Sequence, residues 1–177
     1  MAISAYAEHP AHQVFTICGH VVNKGAVSHM GYVIADTPQI AIERMQGYGF
    51  SVTAISSLAE VRETIAMMEM IANGNPEIAS DEYLNLMEPN PNSPCLDANV
   101  FSFVGSKSND DPRCMKMGFV IAQDAPSASA YLQARQFTTH SITSLADLRD
   151  VEQQLCQIAH GDPDVDDCSY INLKFAS

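Results

Sequence analysis

The 177-residue sequence predicts an α+β fold made of two copies of a β-β-α-β-α(-β) module in a pseudo-two-fold arrangement. Three observations predict it. Residues 14–86 recur in outline at 100–173. Each copy carries the same order of short apolar runs and helix signals. A stretch rich in proline and asparagine, EPNPNSPCLDAN at 88–99, separates them as a linker. The organisation is thus a tail at 1–13, a first module at 14–87, the linker at 88–99 and a second module at 100–174. From Met30 to Leu86 the copies align without a gap at an offset of 87, and about twenty of roughly 57 positions are identical. Upstream the offset is 86, so the second copy has one extra residue before Met117, in a loop where added length costs little. Duplicated modules commonly bury equivalent faces against each other, which motivates the pseudo-two-fold expectation.

The elements follow in order. Val14–Cys18 and Val100–Val104 are apolar runs, each followed by a glycine, Gly19 or Gly105. A polar loop leads to a second run, Gly31–Ala35 or Gly118–Ala122, and the pair reads as a hairpin. Thr37-Pro38 supplies a helix cap followed by proline at the first helical position; Asp124 takes the cap in the second copy. The helices are expected at 38–47 and 125–135, with Ala41 and Ala128 on their packing faces. Phe50–Ile55 and Phe137–Ile142 read as third strands. Their shared apolar ends lie an odd number of residues apart, so either a bulge or burial on both faces is required. Ser57-Leu-Ala-Glu60 and Ser144-Leu-Ala-Asp147 are capping boxes that start second helices. Leu58, Val61, Ile65, Met68 and Ala72 mark one helical face, as do Leu145, Leu148, Val151, Leu155 and Ile158. Gly74 and Gly161 stop these helices, Pro76 and Pro163 follow, and each copy closes on Tyr-x-Asn-Leu, a short strand. Tyr83 and Tyr170 read as buried tyrosines, and Asn85 and Asn172 as turn formers.

Charge is the feature closest to function. The chain carries a net −12. Segment 57–88 holds seven carboxylates against Arg62, and segment 144–168 holds seven against Arg149, so each contributes −6. The remainder balances. A chain this acidic repels nucleic-acid backbones and anionic membranes, which disfavours direct nucleic-acid binding. The acids Glu60, Glu63, Glu69, Asp147, Asp150, Glu152 and Asp164 are the candidate partner-binding residues. They suit a basic protein surface, and mimicry of a nucleic-acid backbone is a specific form of that reading. A solvated helix face, with acids complementing the helix dipole, explains the same residues without a partner. Arg62 and Arg149 recur at equivalent positions. They could clamp an anionic ligand between the repeats, the alternative reading of a small-molecule-sensing regulatory protein, or pair with nearby acids.

Other chemistry finds little footing. The five cysteines, Cys18, Cys95, Cys114, Cys156 and Cys168, occupy no equivalent positions, which points to reduced thiols rather than a repeated disulfide framework. His9, His12, Cys18 and His20 cluster in sequence, but the second copy has Val104 and Ser106 for the last two, and no metal site is expected. The acidic run from Gly161 to Asp167 lacks the glycine and the distal carboxylate of a calcium loop. No phosphate-binding glycine motif, nucleophile elbow or HExxH is present, so neither catalysis nor a cofactor is expected. Met67 and Met70, beside the core-facing Met68, are an adaptable apolar pair in the first copy only. The N-terminal segment has no basic and apolar signal pattern, and no run reaches the length of a membrane span, so a cytoplasmic location is expected.

Overall fold

A computed structural model describes residues 9–25, 27–75, 77–78, 83–87, 95–107, 116–161 and 170–174. Among them the fold is α+β, with four α-helices and two four-stranded mixed sheets. In chain order the elements are β1 (Val14–Val21), β2 (His29–Ile34), α1 (Pro38–Gly47), β3 (Phe50–Ser57), α2 (Leu58–Ala72), β4 (Leu84–Asn85), β5 (Val100–Lys107), β6 (Lys116–Ile121), α3 (Ala125–Ala134), β7 (Phe137–Ser144), α4 (Leu145–Ala159) and β8 (Ile171–Asn172). The second six repeat the first six in type and order. Pro76, Cys114, Pro163, Cys168 and the acidic run from Asp162 to Asp167, with Asp164, lie outside the described residues.

Local chemistry sets the element ends. The Thr37 hydroxyl accepts from the Ile40 N–H at 3.1 Å, and the Asp124 carboxylate accepts from the Ser127 N–H at 2.8 Å. Both satisfy an orphan donor of the first helical turn. Ser57 and Ser144 accept from the N–H groups of Glu60 and Asp147 at 3.1 and 3.0 Å. The long helices end where Gly74 and Gly161 take φ of 68° and 66°.

The third strands hold a bulge, one of the two arrangements that their odd spacing allowed. Against β1, Cys18 faces Ala54 and Gly19 faces Val52, so Thr53 is the extra residue. Against β5, Val104 faces Ser141 and Gly105 faces Thr139, so His140 is the extra residue. The bulge turns Phe50 and Ile55 onto one core, and Phe137 and Ile142 onto another. It also explains the repeated glycines. A Cβ on Gly19 would collide with the Ser51 carbonyl oxygen and lie 2.7 Å from the Phe50 ring; one on Gly105 would collide with the Thr138 carbonyl oxygen and lie 2.6 Å from the Phe137 ring.

The strands nearest each copy's end depart from the sequence-based division. By contact the chain falls into unit 1, residues 1–62 with 150–177, and unit 2, residues 63–149. These units differ from the modules at 14–87 and 100–174. In unit 1 the sheet order is β3-β1-β2-β8, and β8 pairs parallel with β2 (Val33 with Ile171, Ile34 with Asn172). In unit 2 the order is β4-β6-β5-β7, and β4 pairs parallel with β6 (Leu84 with Val120, Asn85 with Ile121). The Tyr-x-Asn-Leu segment of each copy therefore completes the sheet built by the other copy. The chain passes from one unit to the other within α2, after Arg62, and within α4, after Arg149.

Each unit has its own core. Unit 1 buries Phe15, Ile17, Val33, Ala35, Ala41, Met45 and Leu173 together. Unit 2 buries Phe101, Phe103, Val120, Ala122, Ala128, Leu132 and Phe137, with Leu86 packed against them. The closing leucine is anchored through its backbone as well: Leu173 N–H donates to the Ile34 carbonyl and Leu86 N–H to the Ile121 carbonyl, both at 2.8 Å. The Asn172 and Asn85 side chains then accept from the N–H of Lys174 and Met87, at 3.1 and 3.0 Å, turning the chain away.

Three outcomes follow from this packing. Leu173→Ala removes a fully buried plug and is expected to lower the unfolding free energy by roughly 2–5 kcal/mol in urea titrations. Gly19→Ala and Gly105→Ala are expected to cost roughly 1–3 kcal/mol each, because the obstacle is backbone. Gly47→Ala, whose Cβ would meet nothing within 4 Å, should be neutral or stabilising. Hydrogen bonding from Ser127 holds the Asp124 carboxyl below its ordinary 3.8. A carboxylate depressed in the folded state stabilises above its unfolded pKa, and that contribution disappears as pH falls through the lower folded value. Asp124→Asn should keep the cap while flattening this part of the acid unfolding profile below about pH 4.

Candidate functional site

The acidic segments rest on α2 and α4, whose apolar stripes are buried as their spacing requires. Leu58, Val61, Ile65, Met68 and Ala72 are buried in the first, and Leu145, Leu148, Val151, Leu155 and Ile158 in the second. Burial of one stripe fixes what the other side shows to water. Glu60, Glu63, Asp147 and Asp150 are exposed, whereas Glu69 and Glu152 are half-buried. Met67 and Met70 are also half-buried, so the first copy does not present a fully exposed methionine pair.

The two repeated arginines explain the half-buried acids. In unit 1, Arg62 Nε lies 3.4 Å from Glu152 Oε1, and its Nη2 donates to Cys156 Sγ at 3.6 Å. In unit 2, Arg149 Nη2 donates to Glu69 Oε1 at 3.0 Å, and its Nη1 pairs with Asp97. Position 156 is the counterpart of position 69, so both arginines reach the same place on the opposite copy's long helix. The sequence admits pairing with Glu63 or Asp150, or with an acid one turn away; the partners are instead Glu152, Cys156 and Glu69 of the other copy and Asp97 of the linker. Hydrogen bonding to Glu69 and the charge of Asp97 push Arg149 above its ordinary value. The two arginine side chains are 47% and 43% exposed, so solvent screens these pairs.

The other chemistry-bearing side chains among the described residues serve packing and local hydrogen bonds. Among the described residues no three His, Cys, Asp or Glu side chains come together as metal ligands would. Burial, then the charge of Asp97, pushes the Cys95 thiol up, which leaves it protonated and a poor nucleophile. His140, the bulge residue of β7, sits 3.4 Å from the Ser106 hydroxyl. Its counterpart Thr53 instead donates to the Cys18 carbonyl at 3.2 Å, so both bulge side chains serve to tie the bulge to the neighbouring strand. No helix among the described residues is long and apolar enough to cross a membrane.

One further feature went unread in the sequence. Unit 1 holds a cavity of about 260 Å³ lined by Ile17, Gly31, Met45, Phe50 and residues at the ends of β2 and β8. The signal for it was present: opposite a shared glycine, the first copy has Ile17 where the second has Phe103. Comparison of the chain with known protein families, with curated proteins and with solved structures gives no match.

The paired arginines are expected to contribute little. Arg62→Gln and Arg149→Gln should each lower stability by less than about 1 kcal/mol at low salt. That difference should shrink in roughly 0.5 M sodium chloride, where the screening length falls to a few ångströms, as read by chemical denaturation.

Proposed function

We propose that this chain is a non-enzymatic, cytoplasmic protein-binding module, an adaptor or an inhibitor, that presents two acidic helix-and-loop faces to a basic partner. Mimicry of a nucleic-acid backbone, of the kind a viral or mobile-element inhibitor would use, is the specific form of this reading. The observation that supports it most is the exposure of repeated acids. Glu63, Asp147 and Asp150, with Glu60 beside its Ser57 cap, are exposed on helices whose apolar stripes are buried, and Arg62 and Arg149 pair instead with Glu152, Glu69 and Asp97. Each unit has a net charge of −6 over its full sequence. Charge of one sign steers association with a partner of the other and fades with salt.

The test is a change of charge with the fold preserved. A variant carrying Glu63→Lys and Asp150→Lys, with Glu60→Gln and Asp147→Asn so that the capping positions keep a hydrogen-bonding side chain, alters only exposed positions, and its circular dichroism should match the parent. Affinity capture at about 50 mM salt should recover basic proteins with the parent chain, lose them with the variant, and release them at a few hundred millimolar salt. Equal capture by parent and variant would sink the reading.

A further inference from the structure

The two units differ at one packing position where a ring is present in one and missing in the other. In unit 2, Phe103 faces Gly118 across the β5–β6 ladder. Its ring lies on the glycine so closely that a Cβ on Gly118 would come within 2.6 Å of Phe103 Cζ. The same ring meets Phe137 edge-on, with centroids 5.4 Å apart and planes at 82°. The glycine, the covering ring and the second ring form one packed stack.

Unit 1 has the glycine and the second ring, but not the covering one. Ile17 faces Gly31 and is too short to cover it; a Cβ on Gly31 would find Ile17 Cγ1 at 3.9 Å and nothing closer. Phe50, the counterpart of Phe137, is only partly buried, whereas Phe137 is 8% exposed. The space left is the 260 Å³ cavity. An apolar cavity of about 150 Å³ is enough to bind benzene, and drug-sized ligands take about 300 Å³ or more, so the volume suits a single ring with a small substituent. The walls are apolar, while His29, Tyr32 and Tyr170 also line the cavity and bring polar groups to it. Met30 and Ile171, 57% and 45% exposed, leave it accessible from solvent.

We propose that the cavity over Gly31 is a binding site for a small molecule with one aromatic ring and one polar substituent. The ring would sit between Gly31 and the edge of Phe50, as Phe103 sits between Gly118 and Phe137. The site lies wholly in unit 1 and does not rest on the acidic-face reading: none of Glu60, Glu63, Asp147 and Asp150 lines it, though the charge of Asp150 is felt at Tyr32.

Phenol and cyclohexanol are matched probes, alike in size and hydroxyl but differing in aromaticity. Titrated into the full chain and followed by amide and methyl resonances, phenol should give saturable shifts at Gly31, Ile17 and Met45. Gly118 and Phe103 should not move, and cyclohexanol should bind at least about tenfold more weakly. Ile17→Phe places the missing ring in the cavity and should abolish the phenol shifts while raising the melting temperature. Phe103→Ile should open a second phenol site at Gly118. Should Ile17→Phe fail to fold, nuclear Overhauser contacts between phenol protons and the Met45 and Ile17 methyl groups of the parent chain decide the matter. Unsaturable shifts, shifts centred elsewhere, equal affinity for cyclohexanol, or undiminished phenol binding by Ile17→Phe would each overturn the proposal.

Discussion

Everything in this fold depends on two very short parallel ladders. Val33 and Ile34 pair with Ile171 and Asn172, and Val120 and Ile121 pair with Leu84 and Asn85. Two residues of strand would count for little alone. They matter because each delivers a leucine, Leu173 or Leu86, into a core that the opposite copy has built. They also cover an edge, since β2 and β6 would otherwise present unpaired backbone groups. The α2 and α4 helices are the connections that carry each closing strand to its place. Both long helices bury a full apolar stripe, and that stripe sets which acids face water.

The same exchange governs the charge. Arg62 and Arg149 stand at the two points where the chain leaves one unit for the other, and each finds carboxylates or sulfur supplied by distant sequence. These pairs are exposed and screened, so their worth lies less in stability than in settling which acids are neutralised locally. What remains is an outward acidic population on each long helix. A charge distribution of this kind sets up a field that reaches about a Debye length into the solvent.

Much of the fold was legible because the sequence could be compared with itself. The caps at Thr37, Asp124, Ser57 and Ser144 are local chemistry, read from side chains three residues from their targets. The bulge was legible as a conflict: Phe50 and Ile55 both recur, yet strict alternation would point them to opposite faces. The exchange was not legible. A strand of two residues carries no pattern that names its partner, and the linker permits either pairing. The cavity fell between these cases. Gly31 and Gly118 were visible as identities and Ile17 against Phe103 as a difference, but only the strand register shows that the differing residues face the glycines. For the acids, sequence located the charge, while three-dimensional packing decided that Glu69 and Glu152 pair with the repeated arginines and that the Glu60, Glu63, Asp147 and Asp150 side chains are exposed. Asp164 lies outside the described residues.

The closing ladders also impose a timetable on a chain emerging from a ribosome. The partners of β4 and β6 lie near one another in sequence, so unit 2 can complete its sheet soon after residue 149 has appeared. Unit 1 makes its hairpin and α1 first, but its sheet stays open until residue 171 arrives to cover β2. The earliest unit to begin is thus the last to finish, and it waits with an uncovered strand edge and a core lacking Leu173. Long-range closure of this type slows folding relative to local pairing. The half-made unit is the species that a chaperone would meet, and its waiting edge is where two nascent copies could pair with each other by mistake.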